Sequence, residues 1–126
     1  MRICIVGAGA IGGYLAAKLA LADLDVTLIA RGANLAAIRS NGIVLRAAGG
    51  DAEQIAHPRL VTDDMSAAGP HDVVIPAVKA HQLAGVAPAM RALYHGETMV
   101  VPAQNGIPWW YFHQHGGPFD QHQIKA

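Results

Sequence analysis

Six residues near the start of the chain, Gly7-Ala8-Gly9-Ala10-Ile11-Gly12, constrain its fold more than any other stretch. They follow a short apolar run, Arg2 to Val6 (RICIV), that reads as a buried strand, and they open a helix expected from Ala10 to Ala22. Projected at 100° per residue, Gly12, Leu15, Ala16 and Leu19 share one face of that helix, and Tyr14 and Lys18 share the opposite one. The glycine-bearing face can press close on a sheet. Asp23 to Asp25 make a turn, and Val26 to Ala30 (VTLIA) form a second strand. Strand, Gly-rich turn, helix and strand in succession spell a βαβ unit, with parallel strands and a right-handed crossover. The uncharged stretch Ile3 to Ala17 behind Arg2 imitates a secretory leader. Its glycines would weaken a membrane helix, and it falls short of the ~20 residues a span requires. It is therefore read as part of the domain.

The chemistry of this turn is the binding of a pyrophosphate. The first glycine permits the tight turn, the second lets a diphosphate approach bare backbone, and the third lets the helix lie close to the strand. Free N–H groups and the positive end of the helix dipole then face the phosphates. The bland alternative is an ordinary Gly-rich turn; the strand before and the helix after favour a dinucleotide. The end of the second strand distinguishes the cofactors. An acid there would hold a ribose 2′-hydroxyl, but the chain reads Ile29-Ala30-Arg31-Gly32, with Arg31 19 positions after Gly12. A guanidinium can pair with a 2′-phosphate in a fork, which favours NADP(H) over NAD(H). The competing reading of Arg31 is a solvated surface charge.

Further on, a short helix from Ala33 to Ser40 is expected to stop at Asn41-Gly42. Gly42 to Ala47 and Ala52 to His57 flank AAGGD (47–51) as a hairpin, and Leu60 to Thr62 is a further short strand. Asp72 to Val78 (DVVIPAV) is a buried strand whose Pro76 cannot donate to a ladder, so its end is irregular or near an edge. Ala80 to Tyr94 is helical, with a break expected at Pro88. Thr98 to Val101 is the last strand. Lys79 and Gln104-Asn105-Gly106 follow strands at the carboxyl ends where ligands bind in such sheets. Each is read equally well as a ligand group or as ordinary punctuation, a helix-flanking lysine and an Asn-Gly turn.

Composition removes other classes. The 126 residues are 52% hydrophobic and 14% charged, which argues for a folded domain. Nine basic and nine acidic residues leave no net charge to hold nucleic acid or an anionic membrane. The lone Cys4 fits a reducing compartment and a cytoplasmic protein. Residues 107–126 form a separate tail. It holds four of the seven aromatics in IPWWYF, then His113, His115 and His122 among glycines, with no carboxylate or cysteine set among them. The expectation is a solvated tail and no metal site. Its aromatic run makes it a surface for homo-oligomer contact.

The chain resembles the N-terminal domain of 2-dehydropantoate 2-reductases, also called ketopantoate reductases. The resemblance rests on ICIVGAGAIGGYLAAKLA (3–20), IARG (29–32), NGIVLRAAGGD (41–51), DVVIPAVKAHQ (72–82) and VPAQNGIPWWYF (101–112). It covers nearly the whole chain, and the VK and QNG elements in that order are its most specific part. It implies an α/β, Rossmann-like doubly wound, mostly parallel sheet, with the family's helical C-terminal domain absent. Residues 1–106 would be the NADP-binding domain, and 107–126 the start of a linker. It also implies reduction of 2-dehydropantoate to pantoate with NADPH, toward pantothenate and coenzyme A. Gly7, Ala8, Gly9, Ala10, Ile11 and Gly12 would line the pyrophosphate and Arg31 the 2′-phosphate. Lys79 and Asn105 would lie near the nicotinamide, Asn105 also reaching the 2-oxo acid. The family's proton-donating lysine belongs to the other domain, so no complete catalytic set is expected here and the chain alone is expected to be inactive. Two readings stand beside this one: a non-catalytic NADP-binding module or sensor, and a related reductase of another 2-oxo acid. Pro76 stands where the family usually has an aliphatic residue, and the WWYF form points to a subgroup with a substrate other than 2-dehydropantoate.

Overall fold

The computed structural model describes residues 1–46, 52–108 and 110–122. Five strands make one parallel sheet: β1 (Arg2–Val6), β2 (Asp25–Ile29), β5 (Leu60–Thr62), β6 (Val73–Pro76) and β7 (Met99–Val100). Their order is β5-β2-β1-β6-β7, with every pairing parallel. The fold class expected from the sequence, a doubly wound Rossmann-like sheet, is the one observed. A second sheet is the antiparallel pair β3 (Ile43–Arg46) and β4 (Glu53–Ala56), in register Ile43↔Ala56. The two arms of the expected hairpin are therefore present; its 47–51 tip lies outside the described residues.

Period-two alternation along β1 builds the core on both faces of the sheet. Ile3 and Ile5 pack with Ala16 of α1 (Ala10–Leu21) and Leu35 of α2 (Gly32–Asn41). Cys4 and Val6 point the other way, against Met65 of α3 (Met65–Ala68) and Leu83 and Met90 of α4 (Ala80–Met90). Small residues let α1 lie close, since Gly12, Ala16 and Ala17 are its buried positions. The predicted stop of α2 is observed: Gly42 has φ +73 and donates to Ile38 O at 2.9 Å. The short α3 was not anticipated. Asp64 caps it, its Oδ1 accepting from Ser66 N (2.8 Å) and Ala67 N (3.2 Å).

Two prolines test the sequence reading. Pro76 ends β6, one strand in from the β7 edge, and its carbonyl accepts from Ala103 N at 2.9 Å. N–H and C=O of one strand residue face the same side, so the missing donor faces the edge strand, as the reading required. Pro88 is a correction. It was expected to split the helix, yet α4 runs through it to Met90 and passes into a 3₁₀ turn, Arg91–Leu93. Both Pro88 and Ala84, whose carbonyl the proline leaves without its helical donor, are exposed, so water can serve that carbonyl.

Polar pairing inside the core is complete among the described side chains. His71, 1% exposed, donates from Nδ1 to Gly69 O (2.8 Å) and accepts at Nε2 from the Thr27 hydroxyl (2.8 Å). The tail is not uniformly exposed, which corrects the expectation for its aromatics. Trp110 is half-buried against the α4 side of the core, and Phe112 is half-buried with Tyr111 edge-on at 5.0 Å. Trp109 lies outside the described residues. No helix among the described residues is long and apolar enough to cross a membrane.

Candidate functional site

The carboxyl ends of β1, β2 and β6 converge where the strand order reverses, the place where ligands enter sheets of this kind. The three glycines of the opening turn have different reasons to be there. Gly7 has φ +112, and a Cβ on it would stand 2.8 Å from Val78 Cγ1. Gly12 sits under the loop, where a Cβ would be 1.9 Å from Gly7 O. Backbone conformation therefore accounts for the first and close approach for the second. Gly9 answers to neither. Its φ of −76° suits any residue, and a Cβ there would meet nothing within 4 Å.

That open space belongs to a groove made of two adjoining clefts. The first, about 250 Å³, lies between the Gly7–Gly9 loop, Arg31 and Lys79. The second, about 390 Å³, shares Gly9 and Lys79, takes in Ala10 and Ile11, and reaches Asn105. The groove thus runs from Arg31 across Gly9 to Asn105. Of the residues singled out from the sequence, Gly7, Ala8, Gly9, Ala10, Ile11, Arg31, Lys79 and Asn105 line it, and Gly12 supports it from beneath.

Helix starts place the polar groups. Gly9, Arg31 and Lys79 are the residues preceding α1, α2 and α4, and no acidic residue stands in the first turn of any of the three. No carboxylate lines either cleft, while Arg31 and Lys79 supply two cations. The groove is electrostatically suited to an anion. Three amide side chains brace it; the sequence singles out Gln104 only within Gln104-Asn105-Gly106 and gives Asn34 and Gln82 no role. Asn34 Nδ2 donates to Ala8 O (3.1 Å), tying the Gly-rich loop to α2. Gln82 Oε1 accepts from Lys79 N (3.2 Å), and Gln104 Nε2 donates to Val78 O (2.8 Å). The available signal was spacing: Asn34 and Gln82 each stand three residues after a flagged cation, in the first turn of a helix. Cys4 offers no nucleophile, because burial pushes its thiol up to about 12, with Arg2 opposing only in part. Among the described residues, no group of three or more His, Cys, Asp or Glu could hold a metal ion.

The sequence profile of ketopantoate reductase PanE/ApbA matches residues 3–108, which contain every one of these groove residues. The chain belongs to the ketopantoate reductase family. It is 45% identical, over all of its own length, to a 2-dehydropantoate 2-reductase of Mesorhizobium japonicum, of which it spans 38%. A ketopantoate-reductase homologue from Ralstonia solanacearum superposes with a TM-score of 0.87 at 46% identity, over 98% of this chain and 37% of that one. The dimeric ketopantoate reductase of Staphylococcus aureus gives 0.64 at 31% identity, over 84% of this chain and 34% of that one. The chain thus corresponds to the N-terminal portion, little more than a third, of these relatives.

Proposed function

We propose that this chain is the NADPH-binding part of a cytoplasmic ketopantoate-reductase-type enzyme, acting on 2-dehydropantoate. The observation that carries the reading is Gly9: a bare residue that neither backbone conformation nor packing demands, facing a groove with two cations and no carboxylate. A pyrophosphate is the group that needs this space empty. In this reading residues 1–106 are the binding unit and 107–126 lead out of it. The uncapped N–H groups at the start of α1 hold the pyrophosphate, and Arg31 pairs with the 2′-phosphate. Lys79 and Asn105 flank the nicotinamide end, where the Asn105 amide can both donate and accept toward a 2-oxo acid. NADPH, when bound, supplies the hydride for the keto carbon. The keto oxygen then requires a proton. Lys79, the one lysine lining the groove among the described residues, is assigned to the cofactor, so this reading takes the acid from outside these 126 residues.

The test is a titration of the chain with NADPH and NADH beside the Arg31→Ala variant. Loss of a charge-assisted phosphate contact at an exposed site is expected to weaken NADPH about tenfold, roughly 1.4 kcal/mol, and to leave NADH unchanged. Equal losses for both cofactors would remove Arg31 from the 2′-phosphate. Failure of either cofactor to bind the parent chain would remove the reading itself.

A further inference from the structure

The β6–β7 ladder stops in an unusual way at the mouth of the groove. Its rungs advance in steps of two: Met99 N to Asp72 O at 2.8 Å, Val101 N to Val74 O at 2.9 Å, and Ala103 N to Pro76 O at 2.9 Å. The next rung in that register is the Asn105 N–H on Val78 O. That acceptor is taken instead by a side chain, Gln104 Nε2, at 2.8 Å. A carbonyl accepts only, so the amide nitrogen must face it. The return rung one step earlier is missing too, because Pro76 has no N–H to give to Val101 O. Two independent features therefore loosen the pair at the same place, where the chain runs on from β6 to Lys79 and from β7 to Asn105.

We propose that Gln104 ends the β6–β7 ladder by occupying the acceptor of its next rung, and so positions Lys79 and Asn105 on the two lips of an open groove. Without the Gln104 amide, the Asn105 N–H closes onto Val78 O and the strands zip one step further. Asn105 is then drawn toward Val78 into the register of Ala103, and its side chain shifts from the place it now takes beside Lys79. Gln104 touches no reacting atom in this account; it acts through its neighbours. Its effect on ligand binding rests on the NADPH reading above, whereas its effect on the ladder does not.

Two measurements on the 126-residue chain, with Gln104→Met and Gln104→Asn, separate these. Met keeps the length without a donor, and Asn keeps the amide but reaches one methylene less. Amide hydrogen exchange followed by NMR should show Asn105 N–H nearly unprotected in the parent and about tenfold or more slower in both variants. Should Gln104→Met fail to fold, Gln104→Asn carries the test. Unchanged fast exchange at Asn105 in the folded variants would overturn the ladder-ending role. Calorimetry with NADP⁺ and with adenosine 2′,5′-bisphosphate, which lacks the nicotinamide half, reads the positioning. NADP⁺ is expected to weaken about five- to tenfold and the bisphosphate to change less than about twofold, the loss of one hydrogen-bonding arrangement at one end of the ligand. Equal weakening of both ligands would overturn the positioning role in favour of general loosening. A parent chain that binds neither ligand would overturn the cofactor reading and the positioning with it, and the exchange result would still decide the ladder.

Discussion

Gly9 and Gly12 make opposite predictions although both belong to one motif. A valine at residue 9 finds open space and an ordinary φ, so the domain keeps its fold. The cost is limited to a poorer helix start, about 1 kcal/mol. The same side chain fills the groove where the pyrophosphate would lie. Gly9→Val is therefore expected to unfold at nearly the parent urea concentration while losing NADPH binding altogether. Gly12→Ala drives a methyl into Gly7 O and is expected to lose about 3 kcal/mol of stability, the upper range for overpacking. Normal NADPH binding by folded Gly9→Val would reduce the motif to a turn. His71 carries a different prediction, which the sequence did not suggest because its partner Thr27, 44 residues away, is brought to it only by the fold. Burial holds its imidazole below the ordinary histidine range, outweighing the bond to Gly69 O that favours the proton. The unfolded chain thus takes up a proton at a pH where the native state does not. Stability from this group is full above the unfolded value of about 6.5 and is lost progressively as pH falls from there through the lower folded value. Urea unfolding between pH 7 and 5 should show that decline, with a slope of at most about 1.4 kcal/mol per pH unit from one proton. The slope should shrink in His71→Gln, whatever that change does to stability at pH 7.

Elements with a strong local signal were legible in the sequence, and those set by distant contacts were not. The β1–α1–β2 unit and the Gly42 stop of α2 follow from apolar runs and glycine chemistry within a few residues. The hairpin arms followed in the same way. The helix α3 is only four residues long and rests on one Asp64 cap, too short for any periodicity to reveal. The groove residues were legible as positions, because strand ends and helix starts locate them. Their bracing was not, because Gln104 and Val78 lie 26 residues apart and meet only when β6 and β7 pair. Pro88 shows local chemistry overridden by packing: Leu83 and Met90 are buried against the sheet on either side of it and hold α4 continuous. Pro88→Ala restores a donor for the Ala84 carbonyl and is expected to stabilise the domain by about 1–2 kcal/mol, the helix gain less the entropy the proline removes from the unfolded chain. A loss of stability in thermal unfolding would mean that the ring itself packs in a way its exposure does not suggest.

At the scale of the whole molecule, one flank of the sheet differs from the rest. Beyond β7 lies an apolar cleft of about 630 Å³ between α4, Val100 and Pro102, with Trp110 packed along it. The neighbouring Met99, Val100 and Val101 are exposed, as are Ile107 at 70% and Phe119 at 57%. An open apolar edge strand is a template for pairing with another chain, and large exposed apolar patches drive association. The same flank borders the Asn105 end of the groove, since the chain runs from Pro102 through Ala103 to Gln104 and Asn105. A polypeptide of these 126 residues is thus expected to bind NADPH without enclosing its nicotinamide. Water would then reach the reacting end, and no fixed acid would meet the developing oxyanion. Ketopantoate-dependent NADPH oxidation is expected to stay far below ordinary enzymatic rates of about 1 s⁻¹ or more. Turnover at such rates would show a complete site within this chain. Light scattering should find dimers or larger species in the parent. Ile107→Glu with Phe119→Glu tests the 107–126 segment as the contact, and Val101→Lys tests the sheet edge. A shift to monomer in the first variant alone assigns association to the segment, and in the second alone to the β7 edge. A parent chain that is already a monodisperse monomer would overturn the association and leave the prediction on turnover to be judged by its own assay.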